Sequence, residues 1–236
     1  MAALSLPSDY PRIRQVDSFD ELVSTPFGDG VNAICWQRSL AGDFSEVVRH
    51  LRLDDDLEIL DVETLHSLPL SPDGRSAVAL MAEDLRRLRD LELDPVLNAI
   101  ISYPYDEEAG AIPVHVYSFH ADSAPVAAET WLCTYHGAPS EGLRNDEACR
   151  RIDLPGMREI LLAEYGGDDD SGFADYLSEH CYDLHYAPLP TACPFSFGIG
   201  TLWRIAVDYP DSPVPPCLHR APETSPGDPV RLLLIS

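Results

Sequence analysis

Lysine is absent from the 236 residues, and all 16 basic side chains are arginines. A phosphate-cradling P-loop needs its lysine and Schiff-base chemistry needs an amine, so both classes are excluded. Any anionic ligand must be held by arginine, histidine or backbone donors. Positive charge of any kind is scarce: 40 acidic residues oppose the 16 basic ones, a formal net charge of -24. A field of that sign repels phosphate backbones and anionic headgroups, which argues against nucleic acid and membrane surfaces as partners. The cysteines Cys35, Cys133, Cys149, Cys181, Cys193 and Cys217 form no CxxC pair, so no zinc-knuckle or iron–sulfur motif is written in the chain. No apolar run approaches about 18 residues, and the opening MAALSLPSDYPRIR lacks a signal-peptide core. These absences predict a cytoplasmic protein with reduced thiols. Missing lysine beside abundant Ala, Asp, Arg and Pro also fits the codon usage of a GC-rich bacterial genome.

What is present reads as one globular domain, since 45% hydrophobic and 24% charged residues exclude a disordered or fibrous class. Residues 1–30, rich in Pro, Ser, Asp and Gly, are expected as an arm over the domain. The segment Asn32 to Gln37 predicts a strand, and Phe44 to Leu51 a short helix. After Ser71-Pro72-Asp73, the residues Val78, Met81, Leu85, Leu88 and Leu91 recur at spacings of three and four, which predicts a helix ended by Pro95. Its charged face (Glu83, Asp84, Arg86, Arg87, Asp90) is expected outside. From Ala111 the texture turns to strands, AIPVHVYSFHAD, ETWLCTY, FSFGIGTLWRIAV and RLLLIS, interrupted by a helical insert at about 145–182 in which Ser171 is a candidate cap. Leading helices outside such strands predict an α+β fold, with a sandwich, jelly-roll or barrel core over 111–236.

The chemistry concentrates at Phe119-His120-Ala121-Asp122. On a strand, positions i and i+2 share a face, so the His120 imidazole and the Asp122 carboxylate can converge on one ion. A neutral nitrogen and a hard anionic oxygen are two corners of the two-His-one-carboxylate triad that leaves sites open on Fe(II). Far downstream, Leu218-His219-Arg220-Ala221-Pro222 supplies a third imidazole, and twelve residues after His219 comes Arg231, which can grip a carboxylate bidentately.

In this order, HxD, distal His, then Arg on the next strand, the chain resembles the Fe(II)/2-oxoglutarate-dependent oxygenases. The early CWQR, the FHAD, LCTYHGAPSEGL, LHRAP and RLLLIS are similar to a bacterial domain family of that type, over roughly residues 32–236. The resemblance implies a double-stranded β-helix (jelly roll), with His120, Asp122 and His219 as iron ligands and Arg231 on the distal carboxylate of the co-substrate 2-oxoglutarate. It implies O2-dependent oxidation, by default hydroxylation, of a small molecule such as an amino acid or natural-product intermediate. Many members carry a serine two residues after the arginine. Here that position is Leu233, so Ser236 or a tyrosine is expected to complete the pocket, with Tyr135 and Thr134 as candidates. Arg204 and Trp203 are candidates for substrate contact, Arg204 for a substrate carboxylate. His115 is expected off the ligand face, His180 and His185 in structural roles at a helix end, and His136 in an exposed turn. Asp168, Asp169 and Asp170 could form an acidic lid suited to an amine. A cupin-like iron oxygenase without 2-oxoglutarate, and a non-catalytic jelly-roll binding module, are the alternatives.

Overall fold

The computed structural model describes Leu4, residues 6–104 and residues 110–236. In chain order the elements are β1 (Ile13–Val16), α1 (Phe19–Ser24), β2 (Ala33–Trp36), α2 (Phe44–His50), β3 (Leu57–Ile59), α3 (Val62–Ser67), α4 (Pro72–Arg89) and β4 (Val96–Ile100). Then come β5 (Phe119–His120), β6 (Glu129–His136), β7 (Glu141–Leu143), β8 (Ala148–Arg150), α5 (Met157–Tyr165), α6 (Ser171–Glu179), β9 (His185–Pro188), β10 (Phe195–Ser196), β11 (Leu202–Ala206), β12 (Leu218–Arg220) and β13 (Arg231–Ile235). The chain is therefore α+β, with six α-helices among the described residues. A seven-stranded sheet runs β1-β2-β11-β6-β13-β4-β3, and a six-stranded sheet runs β10-β7-β12-β5-β9-β8. Only the β1–β2 pair is parallel among the named strands.

Alternation along β6 shows how the larger sheet separates two cores. Trp131, Cys133 and Tyr135 pack toward the helices with Leu22, Met81, Leu85 and Leu88. Leu132 packs on the other face with Phe195, Phe197, Trp203, Cys217 and Leu233. Two sheets cover the second cluster, so its side chains are excluded from water on both sides. Each large apolar side chain buried in this way contributes about 1.5–3 kcal/mol relative to exposure.

The helix α4 forms over the predicted apolar spacing from Val78 to Leu88 but ends at Arg89, so Leu91 and Pro95 lie beyond it. Ser71 caps it by accepting from the Gly74 amide, and Pro72 occupies the first turn, where its missing N–H costs nothing. One charged residue departs from expectation: Asp84 is buried, not outward. Arg38 grips it with two guanidinium nitrogens, one at 2.7 Å, and the Tyr135 hydroxyl donates to it at 2.7 Å. A buried carboxylate is tolerable only with such partners, and here they come from β6 and the loop after β2, invisible to helix periodicity.

Other boundaries shift for local reasons. Residues 111–118 are not a strand, and only Phe119–His120 pairs. Pro113 removes a ladder donor, and a turn in which the Ser118 amide donates to the His115 carbonyl breaks the run. The stretch FSFGIGTLWRIAV splits into β10 and β11 at Gly198 and Gly200, both at positive φ. The expected arm contains β1 and α1, and β4, unmarked by the sequence pattern, lies between β13 and β3 in the larger sheet, so the sheet core starts well before residue 111. In the insert, Asp170 caps α6, not Ser171.

Candidate metal centre

The smaller sheet aligns three histidines across adjacent strands. His219 on β12 sits directly opposite His120 on β5, and His120 sits directly opposite His185 on β9. Directly paired residues share a face, so all three imidazoles belong to the side turned toward the larger sheet. Gly142 on β7 pairs with His219 on the other side. A Cβ there would meet the Phe195 ring at 2.2 Å, so glycine is what lets Phe195 and Phe197 close behind His219. Phe197 stacks on Trp203 at 4.2 Å and on His219 at 6.4 Å.

Asp122, two residues past His120, completes a cluster. Ligand atoms of His120, Asp122 and His219 all lie within 4.8 Å of one another. Nε2 of His120 is 3.8 Å from one Asp122 oxygen, and Nε2 of His219 is 3.7 Å from the other. Such a trio can bind a metal ion. Its supports are in place: His120 Nδ1–H donates to the Ser118 carbonyl at 2.8 Å, which leaves Nε2 with its lone pair for the ion. The Thr130 hydroxyl donates to Asp122 Oδ2 at 2.6 Å, and the Asp122 carbonyl accepts from the Asp208 amide at 2.7 Å. Thus β6 holds the carboxylate itself, and the loop after β11 holds the backbone that carries it.

Electrostatics agree with that arrangement. Burial, reinforced by His219, pushes His120 down to about 4. Burial, reinforced by His120 and Arg151, pushes His185 down to about 3. Burial alone would raise the Asp122 carboxyl, but His219, the Thr130 hydrogen bond and His120 outweigh it and hold the acid below its ordinary value. A neutral His120 imidazole and an ionised Asp122 carboxylate are protonation states that a divalent ion requires of its ligands.

No family model, curated protein or solved structure matches the chain. Function must be argued from the site itself.

Arg231 marks the other end of the site. It is only 3% exposed, and Nη1 donates to the Tyr103 hydroxyl at 3.0 Å, while Nη2 donates to Ser140 at 2.6 Å and Thr134 at 3.4 Å. Its Nε has no partner, and no carboxylate pairs with it among the described residues. Burial lowers its pKa. Thr134 and Thr130 share the inner face of β6, four residues and roughly 13 Å apart. One strand therefore connects the Asp122 end to the Arg231 end. Gly137, at φ +79, comes close behind: an added Cβ would meet Arg231 Cα at 2.9 Å.

The structure brings only some of the expected residues here. Thr134 faces Arg231, but Tyr135 is a correction: it points to the helix side, stacks on Phe44 and donates to Asp84. Arg204 is another, for it faces away from the site, bonding Glu129 and the carbonyls of Leu22, Val23 and Thr25. Trp203 faces inward but is fully buried, its indole N–H donating to the Phe197 carbonyl at 2.7 Å; it backs the site through Phe197. Ser236 pairs with the Trp131 backbone, and Tyr103 and Ser140 stand at the arginine instead. His180 caps α6 as expected, whereas His185 leaves the helix end for the ligand face. Asp169 pairs with Arg158 and Asp170 caps α6, so two of the three aspartates of the expected acidic lid are engaged in the α5–α6 connection.

The depressed histidines set a pH dependence for the metal-free protein. Between about pH 6.5 and about pH 4 the unfolded chain protonates His120 and the native state does not, so stability falls as pH falls through that window. The contribution is complete above the unfolded value of 6.5. At its fullest it is roughly 3 kcal/mol for His120. Acidification also relieves the self-repulsion of a strongly acidic chain, which acts in the opposite sense. That second effect is common to wild type and His120→Asn, so urea unfolding of both across the window isolates the first. The variant is expected to lose less stability on acidification; equal losses would refute a neutral, buried His120.

Proposed function

We propose that the chain is a mononuclear non-haem iron oxygenase that uses 2-oxoglutarate and dioxygen to hydroxylate a small molecule. The observation that carries this reading is the pairing of the His120–Asp122–His219 trio with a buried, carboxylate-free Arg231 along one inner sheet face. A trio alone suits many divalent ions. A buried cation without a counter-charge is costly and stands ready for an anion, here the far carboxylate of a diacid whose other end reaches the metal.

Topology supports the same reading. Strands β4, β6, β11 and β13 belong to the larger sheet in the order β11-β6-β13-β4, and β5, β7, β10 and β12 to the smaller in the order β10-β7-β12-β5. The chain alternates between the sheets from β4 to β7, and again from β10 to β13. This alternation supports an eight-stranded double-stranded β-helix, with β8, α5, α6 and β9 inserted between its halves.

The donor set fits iron: two imidazoles and one carboxylate leave positions for a bidentate co-substrate and dioxygen, and Fe(II) bound there would supply the oxidising chemistry. The chain's own part is positioning. Ser118 fixes the His120 tautomer, Thr130 orients Asp122, and Tyr103, Thr134 and Ser140 hold the Arg231 fork. Phe197, Trp203 and Leu132 keep water from the inner face.

The direct test is anaerobic titration of metal-free protein with Fe(II) and then 2-oxoglutarate, following the weak visible charge-transfer band of the chelate. A band that needs both additions is expected. Tight iron binding with no response to 2-oxoglutarate would replace this reading with a cupin-like oxygenase. Failure to bind iron would leave a ligand-binding module.

A further inference from the structure

A cleft of about 520 Å³ opens at the rim of the smaller sheet beside the ligand trio. None of the three ligands lines it. It touches both ends of the site all the same, through Ser118, whose carbonyl holds His120, and Tyr103, whose hydroxyl accepts from Arg231. Its charged lining is unexpected for a chain of net charge -24. Among the described residues, two arginines and one glutamate face it, Arg151, Arg220 and Glu223. Arg220 is already neutralised, since Glu141 accepts from it at 2.7 Å and Glu223 lies at 3.4 Å.

Arg151 is different. It stands at the start of a short 3-10 turn, Arg151–Asp153, in the insert. The aspartate of that turn is taken by Arg150, at 3.0 Å. Among the described residues no carboxylate pairs with Arg151, and its Nε is buried with no hydrogen-bond partner. Burial depresses its pKa without any opposing charge, and its field reaches His115 in the cleft and His185 beside His120. A half-desolvated guanidinium left unpaired at the wall of a cleft is the arrangement that a ligand anion completes. The aromatic surfaces of Tyr103 and Tyr117 line the same cleft.

We propose that Arg151 is a specificity-determining residue that holds a carboxylate of the primary substrate in this cleft, with an apolar or aromatic portion of the substrate against Tyr103 and Tyr117. The assignment deepens the oxygenase reading and rests on it for the word substrate. The binding it describes can be measured without metal or turnover. It also reverses the expectation of an amine substrate, because the unpaired charge at the cleft is positive.

The experiment uses metal-free full-length protein and three probes of one shape: 3-phenylpropanoate, its primary amide, and 3-phenylpropylamine. Binding is followed by ligand-observed NMR at millimolar concentration. The acid is expected to bind, the amide more weakly and the amine least. Arg151→Gln should weaken the acid by roughly tenfold or more while leaving the amide unchanged, and Arg151→Lys should restore part of the loss. Arg231→Met should leave the acid bound in the cleft. An acid that binds no better than its amide, or an acid whose binding survives Arg151→Gln, overturns the proposal. So does an acid lost in Arg231→Met and retained in Arg151→Gln, which would put the anion at the other arginine. If the cleft result holds while the Fe(II)/2-oxoglutarate band fails, the anion site stands and the oxygenase reading falls; the converse separates them equally.

Discussion

Metal-dependent stabilisation is expected to vanish in His219→Ala. In the wild type, an ion that binds the native state alone stabilises it by RT ln(1 + [L]/Kd), about 2.7 kcal/mol at a hundredfold excess over Kd. For a chain of this size, each kcal/mol moves Tm by roughly 2–4 °C, so a rise of roughly 5–11 °C is expected under anaerobic Fe(II). Outer partners of metal ligands typically contribute 10–100-fold to affinity, and His219 is itself a candidate ligand. Its loss leaves His120 and Asp122 alone, and an affinity reduced by more than about 100-fold removes the shift at the same concentration. His219 is buried against Phe197, so the variant also carries a cavity and a lower baseline Tm. The comparison is therefore the increment on adding metal, with His180→Ala as control, since that exposed imidazole stacks on Tyr182 outside the site. An unchanged increment in His219→Ala would remove His219 from the metal centre.

What the sequence shows of this site follows from the range of the interactions. His120 and Asp122 are legible because a strand puts i and i+2 on one face, a rule that needs no neighbour. The third histidine is legible only through a resemblance, for nothing local says that residue 219 pairs with residue 120. His185 is opaque for the same reason: its neighbourhood reads as the end of a helix, and only the pairing of β9 with β5 turns it inward. Tyr103 and Ser140 reach Arg231 from separate loops, so no spacing announces them.

Local rules alone separate two neighbouring pairs. Thr134 and Tyr135 are adjacent on one strand and face opposite ways, as do Trp203 and Arg204. Each pair can offer one residue to the site, and the inward members are Thr134 and Trp203. Asp84 teaches the reverse lesson about α4. Its charge places it outside by composition, its position among Met81, Leu85 and Leu88 places it inside by geometry, and geometry prevails because Arg38 and Tyr135 compensate the charge. Strand β4, VLNAI, is a largely apolar run soon after a helix, where periodicity cannot tell a buried strand from a helical tail.

Arg231→Met separates a cation kept for a ligand from one kept for the fold. Truncating one partner of a buried ion pair usually destabilises by roughly 3–5 kcal/mol, because a charge is left behind uncompensated. Arg231 has no such partner among the described residues: three hydroxyls solvate it and its Nε is unmatched. Methionine fills a similar volume without charge, and replacement of buried ionic groups by apolar ones is often neutral or stabilising by about 1–4 kcal/mol. Against this stands the loss of a donor to Ser140, Thr134 and Tyr103, which costs less where a hydroxyl can rotate to another acceptor. The expected result is a metal-free Tm equal to or above wild type. Fe(II) binding should be unchanged, because no metal-ligand contact is touched. Affinity for 2-oxoglutarate, read from the charge-transfer band, should fall at least roughly tenfold to a hundredfold, the value of one or more charge-assisted hydrogen bonds. A variant that loses several kcal/mol of stability yet titrates with 2-oxoglutarate as wild type does would make Arg231 a structural residue and take the co-substrate out of the site.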